Sequence, residues 1–300
     1  MSTSALAELY RRGQYAAVIR ELERLREGLP WEYAEAAAEA YYYGAMAHYR
    51  LDQLLPAVSL VAKALEEVHA RGDWGLTGKI RFQAGEIYRR AGQVSEAQQW
   101  TDLFLSDLDR YPEWERVRGL AHYNLGLIHR QRRNFATSIH HYEQAEQLLR
   151  AVGDSVWMIR AQENLCWVLC EDGQHTRATG YLSQIDAAIT ELPESHDARD
   201  VRLTHLYVRG YVLLHLQQPA EAARLCQEVV TEGSGATVAQ RALATWVASE
   251  AALQMGDKEN AWTLVNLANQ LAIEAVDSRI MNYVNDTRRK LLAPGDTAAG

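Results

Sequence analysis

The sequence predicts an all-α solenoid, a stack of helix-turn-helix hairpins closed by a last capping helix. Three observations predict it. Alanine and leucine dominate while proline is scarce, six in 300 residues, which favours helix throughout. A turn signal recurs at nearly constant spacing. Two columns of small residues recur with it, where the two helices of a hairpin must approach closely.

The turn signal comes first. Gly13-Gln14-Tyr15, Gly92-Gln93-Val94, Gly173-Gln174-His175 and Gly256-Asp257-Lys258 each separate two helical patterns. Asp52-Gln53-Leu54, Arg133-Asn134-Phe135 and Gln217-Gln218-Pro219 fill the same slot. The slot opens at 13, 52, 92, 133, 173, 217 and 256, with gaps of 39, 40, 41, 40, 44 and 39. A fixed period near 40 is the mark of a solenoid. Glycine suits the left-handed residue that closes the first helix of each pair.

The small columns come next. On the first helix they read Ala45, Gly85, Gly126, Cys166, Gly210 and Ser249. On the second they read Ala57, Ala97, Ser138, Ala178, Ala222 and Ala261. Gly126, inside "AHYNLGLIHRQRRNFATSIHHYEQA", costs roughly 1 kcal/mol against alanine in a helix interior. Close packing that a larger side chain would block offsets that cost. In the first repeat Leu6 and Val18 stand at these sites, as suits a terminal cap.

Leu125-Gly126 followed by Phe135, Ser138, Tyr142 and Ala145 resembles the tetratricopeptide repeat (TPR) pattern. The resemblance covers about residues 2 to 275. It implies a right-handed superhelical solenoid of about seven repeats plus a C-terminal capping helix. The expected organisation is a single solenoid over 1-292. Its repeats lie near 1-30, 31-72, 73-111, 112-153, 154-195, 196-234 and 235-275, with a cap over 276-292 and a flexible tail over 293-300. The period exceeds the usual 34, so longer helices or longer connections absorb about six residues per repeat. "ELPESHDARD", 191 to 200, is either a flexible joint or a longer ordered turn. The long repeats are similar to those of bacterial peptide-sensing regulators, the Rap and PlcR group. Those regulators carry an N-terminal output domain. Here the repeats begin close to Met1, so the expectation is a chain without its own output domain, or a piece of a longer protein.

The net charge of -8 argues against an electrostatic grip on nucleic acid. Cys166, Cys170 and Cys226 are few and odd in number, which suits reduced thiols and a cytoplasmic setting. No window approaches a membrane span.

The inner face of each first helix carries the functional expectation. Its leading site reads Tyr42, Phe82, Tyr123, Glu163, Tyr207 and Trp246; the site four residues on reads Met46, Glu86, Leu127, Trp167, Tyr211 and Glu250. Further along come Tyr49, Arg89, Arg90, Arg130 and Gln131, and Arg160 precedes Glu163. A helix apolar on both sides wants burial on both sides. Either neighbouring first helices consume this face or a ligand does. Tyrosine and tryptophan join an apolar ring to a polar tip and suit a recognition surface. The arginines either pair with an acidic ligand group or are neutralised by Glu86 and Glu163. In the TPR family this face lines the concave groove where extended peptides bind. The resemblance implies that Asn124 and Asn164 hold a peptide backbone; the alternative is local bonding within the helix seam. Heat-shock adaptors of the family use a lysine at a site that is mostly aromatic here, which argues against their ligand class.

Other motifs carry less. Cys166 and Cys170 are four apart, but Cys166 fills a small-residue site, so packing explains it better than a metal. His122, His129, His140 and His141 read as surface or seam residues. "EGSGATVAQ" lacks the strand a phosphate loop needs. No catalytic pairing recurs. The expectation is a non-enzymatic scaffold for a protein or peptide ligand, without cofactor, metal, direct nucleic acid or membrane. A signalling-peptide sensor is its narrower form. The alternative is a structural assembly subunit using convex or edge surfaces, with a homodimer left open.

Overall fold

A computed structural model of the chain describes residues 3–28, 34–69, 74–108, 114–232, 235–275 and 278–293. The tail expected over 293–300 lies outside the described residues from 294 onward. So do the expected repeat junctions at 30/31, 72/73 and 111/112, and the start of the cap at 276. Among the described residues there are fifteen helices and no strand.

The chain divides into two compact units, Met1–Leu148 and Leu149–Gly300. The N-terminal unit holds α1 (Thr3–Arg11), α2 (Tyr15–Gly28), α3 (Ala34–Arg50), α4 (Leu54–His69), α5 (Trp74–Arg90), α6 (Val94–Leu108), α7 (Glu115–Gln131) and most of α8 (Phe135–Ala151). The C-terminal unit holds α9 (Ser155–Glu171), α10 (His175–Glu191), α11 (His196–His215), α12 (Pro219–Thr231), α13 (Val238–Gln254), α14 (Lys258–Glu274) and α15 (Ser278–Leu292). Helices follow one another as antiparallel hairpins. In the first unit α1, α3, α5 and α7 also pack on one another, and in the second α9, α11, α13 and α15 do. These odd-numbered helices form one layer of each unit, and the even-numbered helices pack over them.

The long period lies in the helices. α7, α8, α9 and α10 have 17 residues each, and three residues join α7 to α8 and α9 to α10. All seven slot residues adopt left-handed backbone: Gly13, Asp52, Gly92, Arg133, Gly173, Gln217 and Gly256, with φ from 55° to 82°. The bonds are those of a Schellman turn. The Gly173 amide donates to the Cys170 carbonyl and the Gln174 amide to that of Leu169; Gly256 and Asp257 do the same to Leu253 and Ala252. Such a turn consumes carbonyls that the helix end leaves unpaired.

The small columns meet as the spacing requires. A β-carbon on Gly126 would lie 2.6 Å from the Tyr142 ring, and Ser138 donates to the Gly126 carbonyl at 2.7 Å. Cys166 donates to the Ala178 carbonyl at 3.5 Å. Each pair is twelve residues apart, so the same close crossing recurs down the chain.

The connection at 191 to 200 is an ordered turn. Leu192 is buried, Arg202 ties to Glu194 and to the Leu192 carbonyl, and Ser195 caps α11 by accepting from the Ala198 amide at 3.0 Å.

Candidate functional site: the inner helix faces

In the N-terminal unit Tyr42, Phe82, Tyr123 and Leu127 are half-buried, Met46, Asn124 and Arg130 are buried, and Gln131 is exposed. The rings rest on neighbours: Tyr42 edge-on to Tyr43 at 5.2 Å, Phe82 against Phe104 at 5.4 Å, Tyr123 edge-on to Tyr142 at 5.8 Å. Polar groups between α3 and α5 form a chain. Tyr49 donates its hydroxyl to Glu86 at 2.8 Å, and Arg89 grips the same carboxylate with two bonds at 2.9 and 2.7 Å. Burial pushes the Glu86 carboxyl up, but Arg89, the Tyr49 hydroxyl and Arg90 outweigh it and hold Glu86 below the ordinary range. Arg90 pairs with Asp52 and lies over the Tyr49 ring, 5.0 Å from its centre. Both arginines are therefore neutralised inside this unit, Arg89 by Glu86 as one reading of the sequence held.

A histidine cluster fills the α7–α8 seam of the same unit. His122 and His141 face each other with Nδ1 atoms 3.1 Å apart, and His129 stacks on His141 at 5.3 Å. Burial, His140 and Arg118 lower His122 to about 4, and burial, His122, His129 and His140 lower His141 to about 3. Among the described residues no group of three or more His, Cys, Asp or Glu side chains is placed to hold a metal ion.

The C-terminal unit differs. Trp167, Tyr207, Tyr211 and Trp246 are all buried. The Trp167 and Tyr211 rings are parallel with centres 4.0 Å apart; Trp246 lies 6.0 Å from Trp167, and Tyr283 of α15 stacks on Trp246 at 4.7 Å. Trp246 donates its indole N–H to Thr287 at 2.9 Å, and Thr287 donates to Glu250, which also pairs with Lys290 at 2.8 Å. Neighbouring first helices and the cap thus consume this face themselves.

Beside the rings lies a polar cluster. Arg160 pairs with Asp200 at 2.7 Å, and Gln240 donates to the Asp200 carboxylate, the Asp200 carbonyl and the Thr204 hydroxyl, each at 3.0 Å. Arg160 takes its partner from the next inner helix; Glu163, the expected neutraliser, is left over. Glu163 is 1% exposed, and its Oε1 has no hydrogen-bond partner among the described residues. Burial drives its carboxyl well above the usual range; Arg160 opposes this and Asp200 adds to it. Asn164 donates its amide to the Arg160 carbonyl of its own helix at 3.0 Å, the local bond that the sequence left as an alternative.

Asp200, Gln240, Tyr283, Thr287 and Lys290 were not foreseen in this cluster. A signal for them exists: Arg160, Asp200 and Gln240 stand one 40-residue step apart, as do Glu250 and Lys290.

Among the described residues, seven helical hairpins and a last helix, with left-handed turns within the hairpins and facing small residues locking them, define a TPR fold. No family model matches the chain, and no curated protein matches it. Solved structures match it closely in fold. A Rap protein complexed with competence and sporulation factor superposes with a TM-score of 0.68 at 14% identity, over 97% of this chain and 87% of that one. A tetratricopeptide repeat protein from Parabacteroides merdae gives 0.66 at 15% identity, over 95% and 96%. NprR in complex with its cognate peptide NprX gives 0.62 at 12% identity, over 96% and 79%. At these identities the likeness is one of fold.

Proposed function

We propose that this chain is a peptide- or protein-binding scaffold, not an enzyme, that recognises an extended segment along its inner helix faces. Two of the solved structures with this fold hold a named factor or peptide, and that likeness supports the reading. The observation that carries it is the half-open inner face of the N-terminal unit. There Tyr42, Phe82 and Tyr123 are only half-buried, beside the Tyr49–Glu86–Arg89 chain and Asn124. Rings with polar tips beside fixed hydrogen-bonding groups suit an extended peptide, which presents alternating side chains and backbone amides. A signalling-peptide sensor acting in the cytoplasm is the narrower form. In the C-terminal unit Arg160, Glu163, Asn164, Trp167, Tyr207, Tyr211, Trp246 and Glu250 serve the same reading only where the closed rings part.

The test is capture from a peptide library by the wild-type chain and by Asn124→Ala, Tyr123→Ala and Glu86→Gln variants that melt normally. The reading expects each variant to lose at least tenfold in affinity for the captured peptide. Unchanged binding by all three would remove this face from the proposal.

A structural assembly subunit is the second reading. The self-burial of Tyr207 and Trp246 favours it, as do the outward Leu55 and Leu292, 82% and 70% exposed. Sedimentation decides it: a concentration-dependent dimer abolished by Leu55→Glu or Leu292→Glu supports assembly, and a monomer at all concentrations sinks it.

A further inference from the structure

Glu163 occupies a column that is aromatic in five of six repeats, yet it is as deeply buried as the rings around it. Its Oε1 accepts no hydrogen bond from the described residues. The cation that acts on it, Arg160 one turn earlier on α9, gives its Nη2 to Asp200 of α11. A buried carboxylate oxygen that accepts no hydrogen bond, beside a cation paired elsewhere, pays a desolvation cost that a neutral carboxylic acid avoids. The acid form therefore suits the closed stack, and the ionised form suits one that admits water.

We propose that the inner face of the C-terminal unit is proton-latched: Glu163 keeps its proton while the Trp167–Tyr211–Trp246–Tyr283 stack is closed and releases it when the stack opens. The step is a simple dissociation, with the proton passing to solvent and the carboxylate gaining water. No ligand is required, so the latch stands or falls apart from the peptide-binding reading.

The surrounding charges fit. On α9 the Cys166 thiol is pushed far up by burial, by Cys170 and by Glu163 itself, so it stays protonated. On α11 Asp200 is neutralised by Arg160, and the Tyr207 phenol is pushed up by burial and by Glu163, beyond the neutral range. From α15 Arg279 acts on Tyr207, and α13 offers the uncharged Gln240, which is spent on Asp200 and Thr204. His205 with Asp186 and Arg209, and the half-buried His215 with His175, Glu171, Glu250 and Lys290, also titrate in this unit, and burial pushes the Cys170 and Cys226 thiols up so that they stay protonated. Burial lowers both histidines, so they act on the acid side.

One proton released on opening makes the opening constant rise tenfold per pH unit between the exposed and the buried carboxyl values. Amide hydrogen exchange of the full chain reads it directly. Between pH 5 and 9, after correction for intrinsic exchange, protection of α9, α11 and α13 should fall by up to tenfold per unit in the wild type. Glu163→Gln should remove that slope and leave those helices at least as protected as the wild type at pH 5. Glu163→Leu serves equally if the glutamine variant does not fold. A wild type flat over the whole range, or equal slopes in wild type and variant, overturns the latch.

Discussion

The Tyr142 ring lies directly over Gly126, so that a β-carbon on the glycine would sit 2.6 Å from the ring edge. Tyr142 is fully buried and Ser138 holds the Gly126 carbonyl from the facing helix, so neither ring nor backbone is free to retreat.

Gly126→Ala should therefore destabilise the chain. The better helix propensity of alanine contributes about 1 kcal/mol, and overpacking a full core costs about 1–3 kcal/mol, so the net loss reaches up to about 2 kcal/mol. Gly180 is the internal control. It lies within α10 with nothing within 4 Å of a built β-carbon, and Gly180→Ala should stabilise by about 0.5–1 kcal/mol. Urea titration of the two variants measures opposite shifts. Stabilisation by Gly126→Ala would show that the close crossing is not what the glycine serves.

The histidine seam of the N-terminal unit predicts acid sensitivity. Free imidazoles bind protons below about 6.5. His122 and His141 hold out to about 4 and about 3, chiefly because burial disfavours their charged forms. Below 6.5 the unfolded chain then binds more protons than the folded one. The stability present at neutral pH is lost as pH falls from 6.5 toward those values. Urea midpoints should drop between pH 7 and pH 4.5, and His141→Phe should make that drop shallower. An equal drop in both proteins would place the acid sensitivity elsewhere.

Thr287 accepts the hydrogen bond of the Trp246 indole and bridges it to Glu250. Thr287→Val keeps the shape and removes the bond, leaving a buried indole N–H unpaired at a cost of about 1–3 kcal/mol. Acrylamide quenching of tryptophan fluorescence should rise with it. A variant as stable and as shielded as the wild type would show that ring stacking alone holds α15.

Much of this architecture is legible in the sequence, because backbone geometry and close packing impose it locally. Gly13, Gly92, Gly173 and Gly256 mark the turns by residue type. Asp52, Arg133 and Gln217 mark them only by position, and adopt the same left-handed backbone. Gly126 and Ser138 announce their contact through spacing. The inner face is legible as a column but not as a surface. Whether Tyr123 stays half-open or Trp246 closes depends on how tightly successive first helices pack, and side-chain periodicity does not encode that. The same holds for ion pairs: Arg160 could reach Glu163 on its own helix or Asp200 on the next, and the geometry of the next helix decides.

In stacked-hairpin proteins each hairpin ordinarily touches only its neighbours, and they melt piecewise from the ends. Trp167 breaks that limit, because its ring reaches Trp246 and Tyr283, skipping the hairpin between. The last three hairpins and the final helix therefore share one aromatic joint, and fraying of the C-terminal end cannot proceed one hairpin at a time. That end should come apart cooperatively, as a single block.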